Sequence, residues 1–489
     1  MLLSSATMAQ TLTRKAYPAP KVTPEVRRIR SAIKPMHVNE ANVTLPEAVD
    51  NSKNKYFPPV INQDGGSCAQ ASSIGYVFTY EINRLLDRDA SASADNRFAY
   101  TFSWNMLNDG EDQGGFAEQG FYLAQRYGMM TEADYGTSGI YQFRWASGYD
   151  KYLNAMRYRV KEILSFDAAD LPSLKRWLYD AADGSAQGGL LTFSSQSTGW
   201  TINNNYNGPS NTGYHSLLTH LATSGAHAMT IVGYDDLVGF SDTDGQKHKG
   251  AFIVCNTWGT FSHDQGRFYL PYWFFTDHQH TDLVLSSKMQ AVRVATYDPK
   301  VVFKVKLKYS SRNDLSFGTA RRDNGNTSST PQYNYAQAFF NAGGDYPMQG
   351  QFLGDDIEIA IDATVDGAQP LDGEVYFIAV KKAAIGKTVG NGTIEAISLD
   401  DYRGETPKEH KCISSSFPTV VNPGITGFWV RPSDNRTDRY KLSASSYKYL
   451  ENGTLSPRTF IVRTTTGKAV KMSFGNLSSD GRTLNIRYK

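Results

Sequence analysis

Three cysteines in 489 residues cannot make a disulfide framework, so an apolar core must hold this chain together. No run of eighteen apolar residues occurs, and no membrane-spanning helix is expected. Charge of one sign is also lacking: 50 basic residues face 48 acidic ones, for a net +2. That balance removes the electrostatic case for nucleic-acid binding. Internal repeats are absent as well. The start, Met1-Leu2-Leu3-Ser4-Ser5-Ala6, has no charged segment and only a very short apolar stretch, so it does not read as a complete signal peptide. Ala6-Thr7-Met8-Ala9 suits the end of one, and a secreted or extracytoplasmic protein is the expectation. The length predicts two to four domains.

The segment Val60-Ile61-Asn62-Gln63-Asp64-Gly65-Gly66-Ser67-Cys68-Ala69-Gln70-Ala71 carries the most information. After it, Ile74, Val77, Phe78, Ile82 and Leu85 fall on one helical stripe, which predicts a helix through 71–85. Gly65, Gly66 and Ser67 are turn residues. Cys68 is therefore placed at a helix N-terminus, where the macrodipole favours thiolate over thiol. A base is supplied by Ala226-His227-Ala228-Met229, and a group to orient it by Cys255-Asn256-Thr257-Trp258-Gly259.

Together these segments resemble the papain-like cysteine peptidases. The likeness starts at Leu45-Pro46-Glu47-Ala48-Val49-Asp50 and runs through Asp112-Gln113-Gly114-Gly115-Phe116, Tyr127-Gly128-Met129, the His227 and Asn256 segments, and Gly266-Arg267-Phe268-Tyr269. It covers roughly residues 43–285. It implies that Cys68 is the nucleophile, His227 its base, Asn256 the orienter of the imidazole and Gln63 an oxyanion donor. It implies further that Gly114, Gly115 and Ala226 lie along the substrate, and that Trp258 shields the His–Asn contact. No cofactor and no metal is expected. A protein or peptide is the expected substrate.

The sequence departs from the family pattern. Where a bridge normally lies, Gly65 and Asp112 stand in place of both cysteines. The aromatic residue that usually follows the nucleophile is Ala69, and Gln63 is five residues before Cys68, one closer than usual. A one-residue deletion in the loop favours Gln63 over Asn62 as the amide. These departures motivate an alternative, a catalytically inert papain fold serving in binding or adhesion. A transferase or amidase on the same residues is a third reading, since thioester formation does not fix the acceptor.

Other candidates carry less. His215 and His220 lie in a polar stretch without the motif, and surface positions are expected. Cys255 is expected to be a buried, inert thiol, and Cys412 is given no role. Ser241-Asp242-Thr243-Asp244-Gly245-Gln246 alternates acidic residues before a glycine, but has too few carboxylates for calcium; a hairpin turn is expected.

The predicted organisation is α+β: a two-lobe papain-like protease followed by all-β, sandwich-like modules. Residues 1–42 form an extended leader or linker rich in Pro and basic residues. Residues 43–290 form the peptidase, with helices over 116–127 and 171–182 closed by Gly128 and Gly184. Its later strands are expected at 189–193, 228–234, 251–255 and 267–270. A β module spans 291–410, and 411–489 is a second module or a continuation of the first. Strands are predicted over 301–309, 356–361, 374–380 and 459–463, with turns at Asp366-Gly367, Asp372-Gly373, Asn452-Gly453 and Asp480-Gly481 and a long loop over 321–332. A glycan or a cell surface is the expected partner of these modules.

Overall fold

The computed structural model describes residues 20–38, 43–136, 143–276, 285–322, 332–336, 343–364, 374–382, 389–412, 417–430, 432 and three strands within 459–488. The four predicted turns named above, most of the 321–332 loop and the first nineteen residues lie outside the described residues. Helices dominate the N-terminal part and β-sheets the C-terminal part. No described helix is long and apolar enough to cross a membrane.

The helix opened by Cys68 runs to Leu86, but not uniformly. Cys68–Gln70 and Thr79–Leu86 are α-helical, and Ala71–Phe78 between them is a π-helix. The wide turns are visible in the Thr79 hydroxyl, which donates to the carbonyl of Ile74 five residues back at 3.1 Å. Ile74, Val77, Phe78 and Ile82 are fully buried, whereas Leu85, in the last turn before Asp87, is 50% exposed.

A ten-stranded sheet backs this helix. Its order is Lys34–Pro35, Tyr158–Asp167, Lys288–Thr296, Leu191–Thr198, Ser224–Ser241, Lys247–Cys255, Arg267–Pro271, Leu217–His220 and Thr201–Asn203, with Ala48–Asp50 paired onto Ser224–Ser241. The register pairs Ser195 with His227 and Thr230 with Cys255, which brings the end of one strand, at Asn256, beside the histidine of its neighbour. At the bulge near Gly233 a Cβ would lie 2.0 Å from the carbonyl oxygen of Val49, so the close approach of Ala48–Asp50 admits only glycine there.

Two features of the organisation differ from expectation. The leader is not extended throughout. Thr23 caps the helix Pro24–Ser31, whose Val26 and Ile29 are buried, and Lys34–Pro35 adds a parallel edge strand beside Leu164 and Ser165. Arg30 pairs with the buried Glu118 at 2.6 Å and lies over the Phe116 ring. Proline at N1 and an i, i+3 apolar pair suffice for so short a helix once a neighbour covers them. The expected boundary at 290/291 also falls inside a strand. Lys288–Thr296 pairs with Tyr158–Asp167 along its whole length, and the next strand starts at Val301.

Beyond it, two sheets enclose one apolar core. The first orders Asp356–Asp362, Val301–Tyr309, Gly392–Asp401 and Lys408–Lys411, with Thr419–Val420 alongside; the second orders Gln332–Ala336, Leu315–Arg322, Val375–Lys382 and Gly424–Val430. Alternation decides the faces: Val305, Leu307 and Tyr309 are buried while Lys306 and Lys308 are exposed. The region after 411 therefore continues the first module as far as Val430. Thr459–Arg463, Ala469–Leu477 and Leu484–Tyr488 make a separate three-stranded sheet.

Candidate active site

Ser67 precedes the Cys68 helix without a side-chain cap; its hydroxyl donates instead to Asp64 O at 2.6 Å. The first amides of the helix therefore have no capping oxygen, and they are directed at the Cys68 sulfur. Cys68 is half-buried. Burial pushes its thiol up, while hydrogen bonds from the backbone N–H groups of Ala228, Ala69 and Cys68 itself, and from the Gln63 side chain, pull it back.

Gln63 is held at both ends of its amide. Its Oε1 accepts from the Thr257 hydroxyl at 2.5 Å, and its Nε2 donates to Gly65 O at 2.9 Å. Its backbone N–H donates to Thr257 O at 2.7 Å. Asn62 forms a bridge with Trp258 through the backbone. Of the two amides weighed from the sequence, Gln63 is the one whose side chain reaches Cys68.

His227 is 5% exposed and Asn256 fully buried. His227 Nε2 and Asn256 Oδ1 are 2.8 Å apart, and the same oxygen accepts from Thr257 N–H at 2.7 Å. Trp258 stacks on the imidazole with ring centroids 4.4 Å apart and planes 22° off parallel. Tyr76, on the same run of helix as Cys68, ties the three segments together. Its hydroxyl accepts from Ile61 N–H at 2.7 Å and donates to Asn256 O at 3.0 Å.

Two residues of this cluster have no counterpart in the sequence reading. Trp200 packs edge-on against both His227 and His263, and 5.4 Å from Trp258. His263 Nε2 lies 3.3 Å from Asn256 Nδ2, so Asn256 sits between two imidazoles. A Gly-Trp pair in a polar hairpin and a histidine in a turn are weak signals, and only the fold joins them to His227.

The remaining candidates are placed as follows. Ala226 is half-buried and pairs with Gln196. Gly114 and Gly115 precede the helix Ala117–Tyr127; neither has a left-handed φ, and a Cβ at Gly114 would meet nothing within 4 Å. His215 and His220 are exposed and contact Tyr206 O and the Thr219 hydroxyl. Cys255 is buried, and burial pushes its thiol up to about 11. Residues 241–246 close a hairpin in which Asp242 accepts from Asp244 and Gln246 N–H and pairs with His248 at 2.8 Å. Among the described residues no group of three or more His, Cys, Asp or Glu is arranged to hold a metal.

No family model and no curated protein matches the chain. Solved structures do show a likeness to cysteine proteases over part of it. Xylellain, a cysteine protease from Xylella fastidiosa, is 18% identical, with a TM-score of 0.39 over 57% of this chain and 96% of that one. Procathepsin B S9 from Trypanosoma congolense is 13% identical, with a TM-score of 0.37 over 55% of this chain and 84% of that one. The digestive procathepsin L2 proteinase of Tenebrio molitor is 16% identical, with a TM-score of 0.37 over 54% and 75%. Likenesses of this size bear on neither the reaction nor the substrate.

Proposed function

We propose that the chain is a cysteine endopeptidase acting through Cys68, His227 and Asn256. The observation that carries this reading is the buried His227–Asn256 contact of 2.8 Å under Trp258, with Gln63 tied to the next residue, Thr257. Asn256 engages Nε2 and fixes the ring, so Nδ1 is the nitrogen that serves the thiol. A proton passes from Cys68 to Nδ1, giving thiolate and imidazolium. The thiolate attacks a peptide carbonyl. The oxyanion is held by the Cys68 N–H and Gln63 Nε2. His227 then protonates the leaving amine, and it later deprotonates the water that cleaves the thioester.

The substrate backbone is proposed to lie along Gly114 and Gly115. Neither glycine is required by its own φ, and the open space at Gly114 Cα suits a close-lying peptide strand. The second reading, an inert binding protein, has one observation in its favour: burial pushes the Cys68 thiol up. The two separate on the pH profile of Cys68 alkylation by iodoacetamide. An imidazolium-paired thiolate alkylates at a pH-independent rate through pH 5–6. An unpaired thiol raised by burial becomes reactive only above its ordinary value of about 8.5. A rate that rises only above that value refutes the peptidase.

A further inference from the structure

The turn that carries Cys68 is gripped from outside the nucleophile segment. Gly66 N–H donates to Asp112 Oδ1 at 2.8 Å. Gly65 has a φ of +50°, and a Cβ there would lie 2.3 Å from the same oxygen. A Cβ on Gly66 would lie 2.8 Å from the carbonyl carbon of Gln113. The two chains touch backbone to backbone, with one carboxylate oxygen as the link.

The loop 108–113 is itself held on its far side. Trp104 Nε1 donates to Gln113 O at 3.2 Å, and Gln113 Nε2 donates to Asn108 O at 3.0 Å. The Tyr346 hydroxyl, from the β-sandwich module, donates to Gly110 O at 3.1 Å. Gly344 has a φ of +76°, and a Cβ there would lie 2.8 Å from Asp109 O. Phe143 stacks between Tyr346 at 5.5 Å and Trp104 at 6.1 Å. Arg312, fully buried in the module, donates to Phe143 O at 2.6 Å and lies over the Trp145 ring. An unbroken set of contacts thus runs from Tyr346 through Gly110 and Asp112 to Gly66, two residues before Cys68.

We propose that Asp112 is a positioning residue for the nucleophile turn, and that the sandwich module, through Tyr346 and Gly344, holds the loop that presents it. The module is then a structural part of the site and not only a tether for a glycan or a surface. The proposal rests on the peptidase reading. The carboxylate holds the Gly66 amide, which sets where the Cys68 N–H and thiol stand relative to Gln63 and His227. Losing the link loosens geometry at the reacting atoms without touching the substrate.

The test is steady-state hydrolysis of a denatured protein or fluorogenic peptide by the full chain, with active sites titrated by an alkylating epoxide. Asp112→Ala is expected to lower kcat per titrated thiol about ten- to a hundredfold with KM little changed. Asp112→Asn, which keeps an oxygen acceptor for Gly66, is expected to recover most of the loss. Tyr346→Phe, a surface-neutral change in the module, is expected to lower kcat about fivefold, the effect of one hydrogen bond. A variant that loses only titratable thiols, with normal kcat per remaining thiol, shows a folding role and overturns positioning. Normal kcat in Asp112→Ala, or no recovery in Asp112→Asn, overturns it also, and normal kcat in Tyr346→Phe removes the module. A wild-type chain with no thiol reactive at pH 5–6 sinks the peptidase reading itself, and the proposal with it.

Discussion

Gln63→Ala is the most informative single change for the proposed mechanism, because both ends of its amide are held. Thr257 Oγ1 occupies Oε1, so the amide cannot flip without losing that bond. One proton of Nε2 goes to Gly65 O, and the side chain also reaches the Cys68 sulfur. In the ground state that second contact is a weak one to sulfur. In the proposed tetrahedral intermediate it would become a hydrogen bond to a full negative charge. The gain falls on the transition state, so kcat should drop and KM should not. Removal of one oxyanion donor costs about 2.7–4 kcal/mol, or roughly 10²–10³ in kcat. Thr257→Val keeps the amide but removes the group that orients it, and a loss of about fivefold is expected from one hydrogen bond worth roughly 1 kcal/mol. Asn62→Ala should change little, since Asn62 contributes its backbone to the bridge with Trp258. The assay is kcat and KM on one peptide, per titrated thiol. Equal losses in Gln63→Ala and Asn62→Ala, or a loss confined to KM, would refute the assignment.

Cys68→Ala should abolish hydrolysis while the melting temperature stays near wild type, because a half-buried thiol adds little packing; activity above trace would remove the covalent step. His227→Ala should shift the alkylation profile. Burial raises the Cys68 pKa, and without imidazolium the thiolate should appear only above the ordinary thiol range, so reactivity at pH 5–6 should vanish and persist only at high pH. Reactivity kept at pH 5–6 would mean that the helix N-terminus alone sustains the thiolate. Asn256→Ala should leave weakened but measurable activity, since stacking by Trp258 still restrains the imidazole; an unchanged rate would remove Asn256 from the site. A chain starting at Asn42 should melt lower than the full chain, because the apolar surface under Val26 and Ile29 is uncovered and the buried Glu118 loses Arg30. A higher rate per titrated thiol in that shorter chain would show that the leader inhibits instead.

The legible parts of the sequence were those with a period or a local chemical pattern. Val301–Tyr309 alternates and is a strand; Ala117–Tyr127 carries an amphipathic helix and stops at Gly128, whose φ of +80° needs glycine. Leu85 shares the apolar stripe but sits in the helix's last turn, where it is half exposed. The second helix of the pair, Leu171–Asp180, ended before the expected Gly184, since Ala181 itself adopts a left-handed φ of 53°. His263 and Trp200 were missed for a different reason. Their partners are set by strand register, and register is written in pairs of residues far apart along the chain.

The same physics explains why the elements flanking residues 43–290 are faint in the sequence. An eight-residue helix cannot stand alone, so Pro24–Ser31 shows only two apolar side chains among charges, and its Pro and Arg content reads as a linker. Its stability comes from the surface it meets: Tyr122 hydrogen-bonded to Arg28, Glu118 paired to Arg30, and the open edge of Tyr158–Asp167 taken up by Lys34–Pro35. At the other end, Lys288–Thr296 fills the place between Tyr158–Asp167 and Leu191–Thr198 before the chain enters the sandwich four residues later. Trp145 and Gly148 donate backbone hydrogen bonds to Gln349 and Glu358 of that module, and the Tyr149 and Tyr402 hydroxyls meet at 2.9 Å. A cut at residue 290 would therefore break a strand inside the ten-stranded sheet, where Met289 and Val292 are both fully buried. The sheets change between Thr296 and Val301, and a division there would still remove the Tyr346 hydrogen bond to Gly110 O.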